Sequence, residues 1–597
     1  MPSYMNNRTI ARYLRLLASL FEVQKEHHPK AVAYRKAADT IRALRDDAAD
    51  TPDIQPQGIS QTMWSVIKQL MEHGMDAAYT AASITVPMTL CEILKLPGIG
   101  PRTTSTLYHS YHIASLEQLQ DALRKKQKLP LSHSILTQLP AEITALQERE
   151  RRLPLRVAEA AAQAVFQELA VLHGVIDCAP SGSVRRRDPL SDRVLLLACV
   201  RQEGIEQEIV SQEIAEQVEH ILLTKNYVLT SVDDWLQDPV RSMTGPIRAF
   251  ARIIELEDHK IPVYVLLITP PSWAKANVYL SGDTLHNEVL HRLTEQQSQL
   301  DTKTSPKTEP NSEYEVYANA GLPYIIPLLR DGVSMTKDPQ TLVDHSDIQG
   351  DLHMHTTYSD GHDTLETMVK ACVDRGYRYM TISDHSQGLT VAHGLSYDRL
   401  LEQHEEILRM REKYPQIMIL HGSEVDITAG AKLDFPDTIL GQLDFVIASI
   451  HTAMRQTKAE LTARALYAIQ SPYVHILAHP TGRMLGRRDS FPLDFDQIFN
   501  AAREHNVAIE CNANPERLDL DPLLLRRAME AGCLVSIDSD AHSVANLTRI
   551  EQYGIDMAKK GWITKERVIN TWPLERLMAW IITSRNNDHV SHTGPDE

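Results

Sequence analysis

No stretch of this 597-residue sequence approaches the roughly 18 consecutive apolar residues that a membrane span needs. The start, MPSYMNNRTIARYL, lacks the basic-then-apolar plan of a secretory signal, so a cytoplasmic protein is expected. Cysteine is scarce. The six residues, at 91, 178, 199, 372, 511 and 533, form no C-x-x-C pair, which argues against disulfides and a zinc ribbon and fits buried thiols in a reducing compartment. Internal repeats and long low-complexity tracts are also missing. Positive charge is in deficit, 61 Lys and Arg against 78 Asp and Glu, and the net −17 excludes a nucleic-acid platform spread over the whole surface. The deficit reverses locally, because residues 1–50 hold nine basic and six acidic side chains. What is present, 43% apolar and 23% charged residues, is the composition of a soluble globular protein. The length asks for about three or four domains.

From Thr9 to Leu44 apolar residues recur at three- and four-residue spacing, which predicts two amphipathic helices broken near Pro29. The period returns in SQTMWSVIKQLMEHG and LCEILKLPGIGPRTTSTLY, so residues 1–150 read as an all-helical domain. Residues 151–335 mix a helix, VAEAAAQAVFQELAVLHG, with short apolar runs such as RVLLLACV and IPVYVLLITP, an α+β pattern. Within it, 295–313 is polar and aperiodic and reads as a flexible loop. From 345 to 585 short apolar runs alternate with helices, the pattern of a parallel sheet closed or nearly closed into a barrel.

Those C-terminal runs end in side chains that bind metals. DLHMHTTYSDG supplies His353, His355 and Asp360, and SDH supplies His385. Glu424, His451 and His479 end the next runs, and DSDAH supplies Asp540 and His542. Residues two apart on a strand share a face, so His353 and His355 can grip one ion, as can Asp540 and His542. Barrel enzymes gather catalytic residues at the C-terminal ends of their strands. Nine N/O ligands exceed the three or four that one zinc takes, so two or three divalent ions are expected, and the lack of a thiolate disfavours a structural zinc. His393, His404 and His505 follow no such strand and read as ordinary histidines.

In order and spacing these segments resemble the PHP (polymerase and histidinol phosphatase) superfamily, which implies a distorted (βα)7 barrel with a trinuclear centre. By that resemblance one ion is held by His353, His355, Glu424 and Asp540, a second by Glu424, His451 and His479, and a third by Asp360, His385 and His542. His353, His355, Glu424, His451 and Asp540 are the expected catalytic set. The metals implied are manganese or zinc, with magnesium or iron as alternatives. Closely spaced cations acidify a bound water and neutralise charge on a phosphate under attack, so the expected reaction is phosphoester hydrolysis. Arg483, Arg487 and Arg488, just after His479, are candidates to hold that phosphate.

The upstream residues indicate which phosphoester. LPGIGPRTT has the G-x-G turn of a helix-hairpin-helix, in which glycines and free helix amides face a DNA phosphate, making Gly98, Gly100 and Arg102 candidates. PKAVAYRKAADTIRAL, with Tyr34 and Arg35, resembles the helical DNA-binding domain of family X DNA polymerases. SGSVRRR, with Gly182, Ser183, Arg185 and Arg186, resembles that family's nucleotide-binding turn, and YLSGDTLHNEVL and VYANAGLPYIIPLLR resemble the end of its catalytic core and the stretch beyond. The order is that of bacterial family X polymerases with a C-terminal PHP barrel. This implies a helix-hairpin-helix domain, a nucleotidyltransferase-like α+β palm and the barrel. The barrel would serve as a 3′–5′ exonuclease in DNA repair, with 3′-phosphatase or abasic-site activity in some members.

The palm departs from the family. The pattern G-D-x-D reads SDRVLLL here, so Asp192 survives and Val194 fills the second site, and Tyr264 stands where the third aspartate belongs. One carboxylate cannot hold the metal pair of nucleotidyl transfer. The expectation is a monomeric nuclease acting on gapped or single-stranded DNA ends, with templated synthesis lost or very weak. Three alternatives remain: a bifunctional polymerase and exonuclease in which Asp188 replaces a missing acid, a histidinol-phosphatase-type enzyme, and a structural DNA-binding protein.

Overall fold

The computed structural model describes residues 7–24, 28–44, 48–49, 51–200, 218–225, 227–230, 248–256, 259–300, 309–332 and 339–586. The chain divides into two compact units, Met1–Leu153 with Arg252–Val263, and Pro154–Ala251 with Tyr264–Glu597. The second unit therefore carries the barrel and the α+β region apart from residues 252–263.

In the first unit, helices Asn7–Val23 and His28–Arg42 form the expected pair, with Pro29 in the first turn of the second, where its missing N–H removes no helical bond. Leu14, Leu17, Phe21, Ala38 and Ile41 close the core between them. Helix Gln61–Ala81 breaks at Gly74, whose φ of 82° lies in the left-handed region, at the point where the apolar period of SQTMWSVIKQLMEHG stops. Ser60, Ser115 and Ser132 cap three helices by accepting a backbone N–H from the first turn. Helices Leu90–Leu94 and Pro101–Tyr111 are joined through Gly98, at φ 79°, and Gly100, with Pro101 opening the second helix.

The α+β region holds a five-stranded sheet in the order Val175–Ser181, Val194–Val200, His259–Ile268, Arg248–Leu256, Val228–Thr230. Helix Leu155–Ala170 buries Val157, Ala158, Ala161 and Val165 along one stripe. The loop expected at 295–313 begins as helix, because helix Thr284–Leu300 runs through its first third, and helix Glu313–Ala318 starts where it ends. These turns face solvent and need no apolar period. Glu295 reaches His291 one turn back at 3.4 Å, and Ser298 Oγ donates to the Thr294 carbonyl at 2.8 Å. Residues 301–308 of that loop lie outside the described residues.

The barrel is a seven-stranded sheet whose spatial order follows the chain: Gly350–Asp351, Tyr379–Ile382, Met418–Asp426, Phe445–Ser449, Ile476–Leu477, Ala508–Asn512, Val535–Asp538. All neighbouring pairs are parallel. The strands are buried on both faces, as the continuous apolar runs require. Val446 and Ala448 enter one core cluster, and Phe445 and Ile447 enter another with Trp572 and Trp580. The first and last strands meet at a seam. Met354 bridges Ala541, His355 N–H donates to the Ala541 carbonyl at 2.8 Å, and Asp538 Oδ1 accepts the Leu352 N–H at 3.0 Å. Ser539 Oγ donates in turn to Asp351, so a carboxylate from each side clasps the seam.

Candidate metal centre

The strands deliver their ligands by a common local rule. His353, His451, His479 and Asp540 each stand two residues beyond the last residue of a strand, His385 stands three beyond, and Glu424 lies inside the strand Met418–Asp426. The backbone has turned there, with Asp540 at φ 50° and His479 at φ 27°, both in the left-handed region that side chains other than glycine rarely adopt. All nine expected residues converge.

Glu424 is the hub. Its Oε1 lies 2.9 Å from His479 Nε2 and 3.4 Å from His451 Nε2, and its Oε2 lies 2.9, 3.4 and 3.6 Å from His385 Nδ1, His353 Nε2 and His355 Nε2. His355 Nε2 is also 3.3 Å from His353 Nε2 and 3.5 Å from Asp540 Oδ1. On the outer side Asp360 Oδ1 is 3.3 Å from His542 Nε2 and 3.5 Å from His385 Nε2. Burial disfavours a charge on Glu424, but the surrounding histidines 385, 451 and 353 outweigh it and hold the carboxyl well below its ordinary range. Burial likewise disfavours charge on His353, and the carboxylates of Glu510 and Glu424 outweigh it to raise the ring.

The side chains fit divalent ions. Two ligands of a tetrahedral ion at about 2.05 Å stand about 3.3 Å apart, close to the 3.3 to 3.5 Å separations here. Asp360 Oδ1 and His355 Nδ1 are buried and accept or donate no hydrogen bond, and a ring of histidines around one carboxylate has no apolar packing role. Three groups of mutually close donor atoms result: His353, His355 and Asp540; His385, Glu424 and His451; and His355, Asp360, His385 and His542. The division implied by the resemblance differs, because His355 and His385 each face two groups, while His479 meets Glu424 Oε1 and sets its ring centre 5.2 Å from that of His451.

The candidate phosphate arginines separate. Arg483 donates to the Arg517 carbonyl at 2.8 Å and to the Leu518 carbonyl, and its guanidinium is spent on fixing that loop. Arg487 is exposed, 3.7 Å from Glu516. Arg488 donates to the Gly482 carbonyl at 2.7 Å, and burial together with nearby Arg517 pushes it down to about 10. Arg517 itself, which the sequence did not single out, has its Nε 3.7 Å from Asp540 Oδ2 at the edge of the cluster. It follows the strand Ala508–Asn512 within NANPERLDL, and only a strand-end count over all seven strands points to it.

In the five-stranded sheet and its entry turn, Val194 is fully buried, Asp192 is exposed, and the Arg193 guanidinium lies 6.0 Å from the Tyr264 ring centre. Val194 and Tyr264 lie on neighbouring strands, as the family's aspartates would. In the basic turn that resembles a nucleotide-binding turn, Arg185 and Arg186 have internal partners. Arg185 binds Glu313 at 2.5 Å and Asn277 Oδ1 at 2.8 Å, and Arg186 binds Asp188 at 2.7 Å and the Ser281 carbonyl at 2.8 Å. Gly182 takes φ 59° and donates to the Leu280 carbonyl at 3.1 Å, and Ser183 accepts at its carbonyl from Asp188. Asp188 is bound also by Lys560 at 2.8 Å and so pairs with two cations.

In the first unit Gly98, Gly100 and Arg102 are exposed around the start of the helix Pro101–Tyr111, with open space above Gly100. Tyr34 is a correction. Its ring is buried 5.2 Å from the Phe21 ring, and burial pushes the phenol up to about 12, which suits a core residue and not a DNA contact. Arg35 pairs with Glu22 at 2.5 Å, which cancels much of the positive charge it would offer.

Comparison with known proteins adds an independent observation. The PHP domain family matches residues 351–514. The DNA polymerase/3′-5′ exonuclease PolX of Bacillus subtilis (strain 168) is 30% identical over 592 residues, covering 97% of this chain and 99% of that protein. The chain belongs to the PolX family. A probable phosphatase of Thermoanaerobacter sp. (strain X514) is 30% identical over 233 residues, 37% of this PolX chain and 89% of the phosphatase. The crystal structure of histidinol phosphate phosphatase from Lactococcus lactis, with zinc, L-histidinol and phosphate, is 19% identical and covers 36% of this chain and 94% of its own, with a TM-score of 0.29.

Proposed function

We propose that this PolX chain is a metal-dependent DNA phosphoesterase, a 3′–5′ exonuclease or end-processing enzyme of DNA repair, whose palm no longer performs templated synthesis. The observation that carries this reading is the Glu424 carboxylate with five histidine nitrogens within 3.6 Å. The full set of nine ligands, His353, His355, Asp360, His385, Glu424, His451, His479, Asp540 and His542, would hold two or three divalent ions, manganese or zinc by donor type. Such ions, when bound, polarise a phosphodiester and supply an activated water at neutral pH. The chain's own part is to keep Glu424 ionised, to keep the donors of the histidines turned inward, and to set Arg517 and Arg488 beside the scissile phosphate.

The palm supports loss of synthesis. Of the three aspartate positions of the family pattern only Asp192 keeps an acid, and it is exposed, while the other two hold an aliphatic and an aromatic side chain. Gly98, Gly100 and Arg102 form a helix-hairpin-helix site for the DNA backbone, with affinity that falls steeply with salt. A small-molecule phosphatase would account only for the last part of the chain.

The likeness over 97% of the chain to a protein named as both polymerase and exonuclease favours one further reading, a bifunctional enzyme. A time course on 5′-labelled gapped and single-stranded DNA with Mn²⁺, with and without dNTPs, separates the two. The proposal expects products that only shorten. Primer extension across the gap overturns the loss of synthesis, and unchanged bands overturn the nuclease.

A further inference from the structure

One barrel strand supplies no metal ligand, the strand Ala508–Asn512 with the sequence AIECN, although it runs between two that do. Its two inward polar residues, Glu510 and Asn512, are fully buried. Each touches the cluster. Glu510 Oε1 is 2.7 Å from His353 Nδ1, and Glu510 Oε2 accepts the backbone N–H of His479 at 2.5 Å and the Asn512 side-chain amide at 3.2 Å. Asn512 Nδ2 also lies 3.3 Å from Asp540 Oδ2. A single period-two pair therefore reaches three of the nine ligands.

We infer that Glu510 is a positioning residue that fixes the tautomer of His353 and so turns its Nε2 lone pair into the metal cluster. An ionised carboxylate only accepts, so the His353 nitrogen facing it must carry the proton. In the neutral ring, the form that can ligate a metal, the other nitrogen is then the bare one, and it is the one that lies 3.3 Å from His355 Nε2 and 3.4 Å from Glu424 Oε2. Glu510 meets a donor at each of its oxygens, the ring N–H on one and two N–H groups on the other. A glutamine of the same shape cannot satisfy both sides, because its NH₂ must face a donor. If it faces His353, the ring shifts its proton to Nε2 and loses its lone pair toward the cluster. If it faces His479, that backbone N–H is left without its partner at a position already at φ 27°. The same carboxylate thus places one ligand's ring and another's main chain. Outer partners of this kind set ligand orientation and basicity in metal sites.

The inference rests on the nine-ligand reading, and metal titration of DNA-free protein tests the two separately. Mn²⁺ and Zn²⁺ affinities are measured by chelator competition for the wild type, Glu510→Gln and His353→Ala, with the thermal midpoint of each metal-free protein recorded alongside. Glu510→Gln is expected to keep a wild-type melting profile without metal and to lose roughly 10–100-fold in affinity for at least one ion. Wild-type affinity in Glu510→Gln overturns the positioning role. A metal-free midpoint that falls while affinity in the folded protein stays unchanged also overturns it, since a structural residue behaves that way. Should Glu510→Gln not fold, Co²⁺ titration of Glu510→Asp, which keeps the charge but draws the carboxylate back from His353 Nδ1, replaces it. A Co²⁺ absorption spectrum shifted from the wild type supports Glu510 as the orienting group, and a wild-type spectrum in Glu510→Asp overturns it. If the wild type binds no metal, or His353→Ala binds as the wild type does, the ligand reading itself fails.

Discussion

At the scale of single residues, arginines near the cluster divide by what their guanidinium groups already bind. Arg483 is consumed by two carbonyls, whereas Arg517 points its Nε at Asp540 from the rim. Arg517→Ala is expected to lower kcat/KM by about 10²–10³-fold, the cost of removing one donor aimed at developing charge, with metal content unchanged. Steady-state kinetics and metal analysis of the same preparation check this. Two buried histidines set an acid limit. Burial first, then neighbouring charges, holds His286 and His421 down to about 4 from 6.5. The unfolded chain therefore takes up protons between about pH 6.5 and 4 while the folded rings stay neutral. Their contribution is full above pH 6.5 and lost as pH falls through that window, by up to roughly 1.4 kcal/mol per pH unit for each ring. Thermal midpoints measured from pH 7 to 4.5 should fall, and His421→Asn should shallow the slope.

At the scale of elements, the turn after the strand Val175–Ser181 has a binding partner within its own unit. Lys560, buried at the end of the helix Ile555–Lys560, donates to Asp188 at 2.8 Å, to the Arg186 carbonyl at 3.0 Å and to the Leu328 carbonyl at 3.2 Å. Arg187, at φ 56°, pairs with both Glu159 and Asp556. Asp188→Asn removes the anion between Lys560 and Arg186, and the unfolding transition of this unit should weaken on the order of 3 kcal/mol, read by denaturant titration. The sequence revealed the basic turn but not this use of it, because ion pairs between residues some 370 positions apart leave no local pattern. The nine ligands were legible for the opposite reason. Strand ends recur at a fixed offset in the sequence, so His353, His451, His479 and Asp540 repeat one local signal. Glu510 and Arg517 carry no repeat, and Tyr34 misled because an amphipathic helix shows its phenol without showing which way it packs. The helical first third of 295–313 was missed since exposed helix turns carry no apolar stripe.

At the scale of the whole molecule, the sequence divided the chain at about 150 and again near 345, and the compact units divide it at 153 with a returning segment at 252–263. A texture change marks where one architecture gives way to another, but it does not report which architectures share a core. Leu155, at the start of the palm helix, is buried in the same apolar cluster as the barrel's Val425, Val446 and Ile537, and this joins them into one unit. The proposed function places the nuclease activity in the nine-ligand cluster of that unit. The direct test uses Glu424→Gln, which keeps the side chain's shape and removes the charge shared by five histidines. On 5′-labelled DNA with Mn²⁺ the wild type should generate a descending ladder from the 3′ end. Glu424→Gln, folded by circular dichroism, should lose more than the roughly 100-fold that outer-shell changes cost. Cleavage by Glu424→Gln at the wild-type rate would contradict the assignment of the chemistry to this cluster.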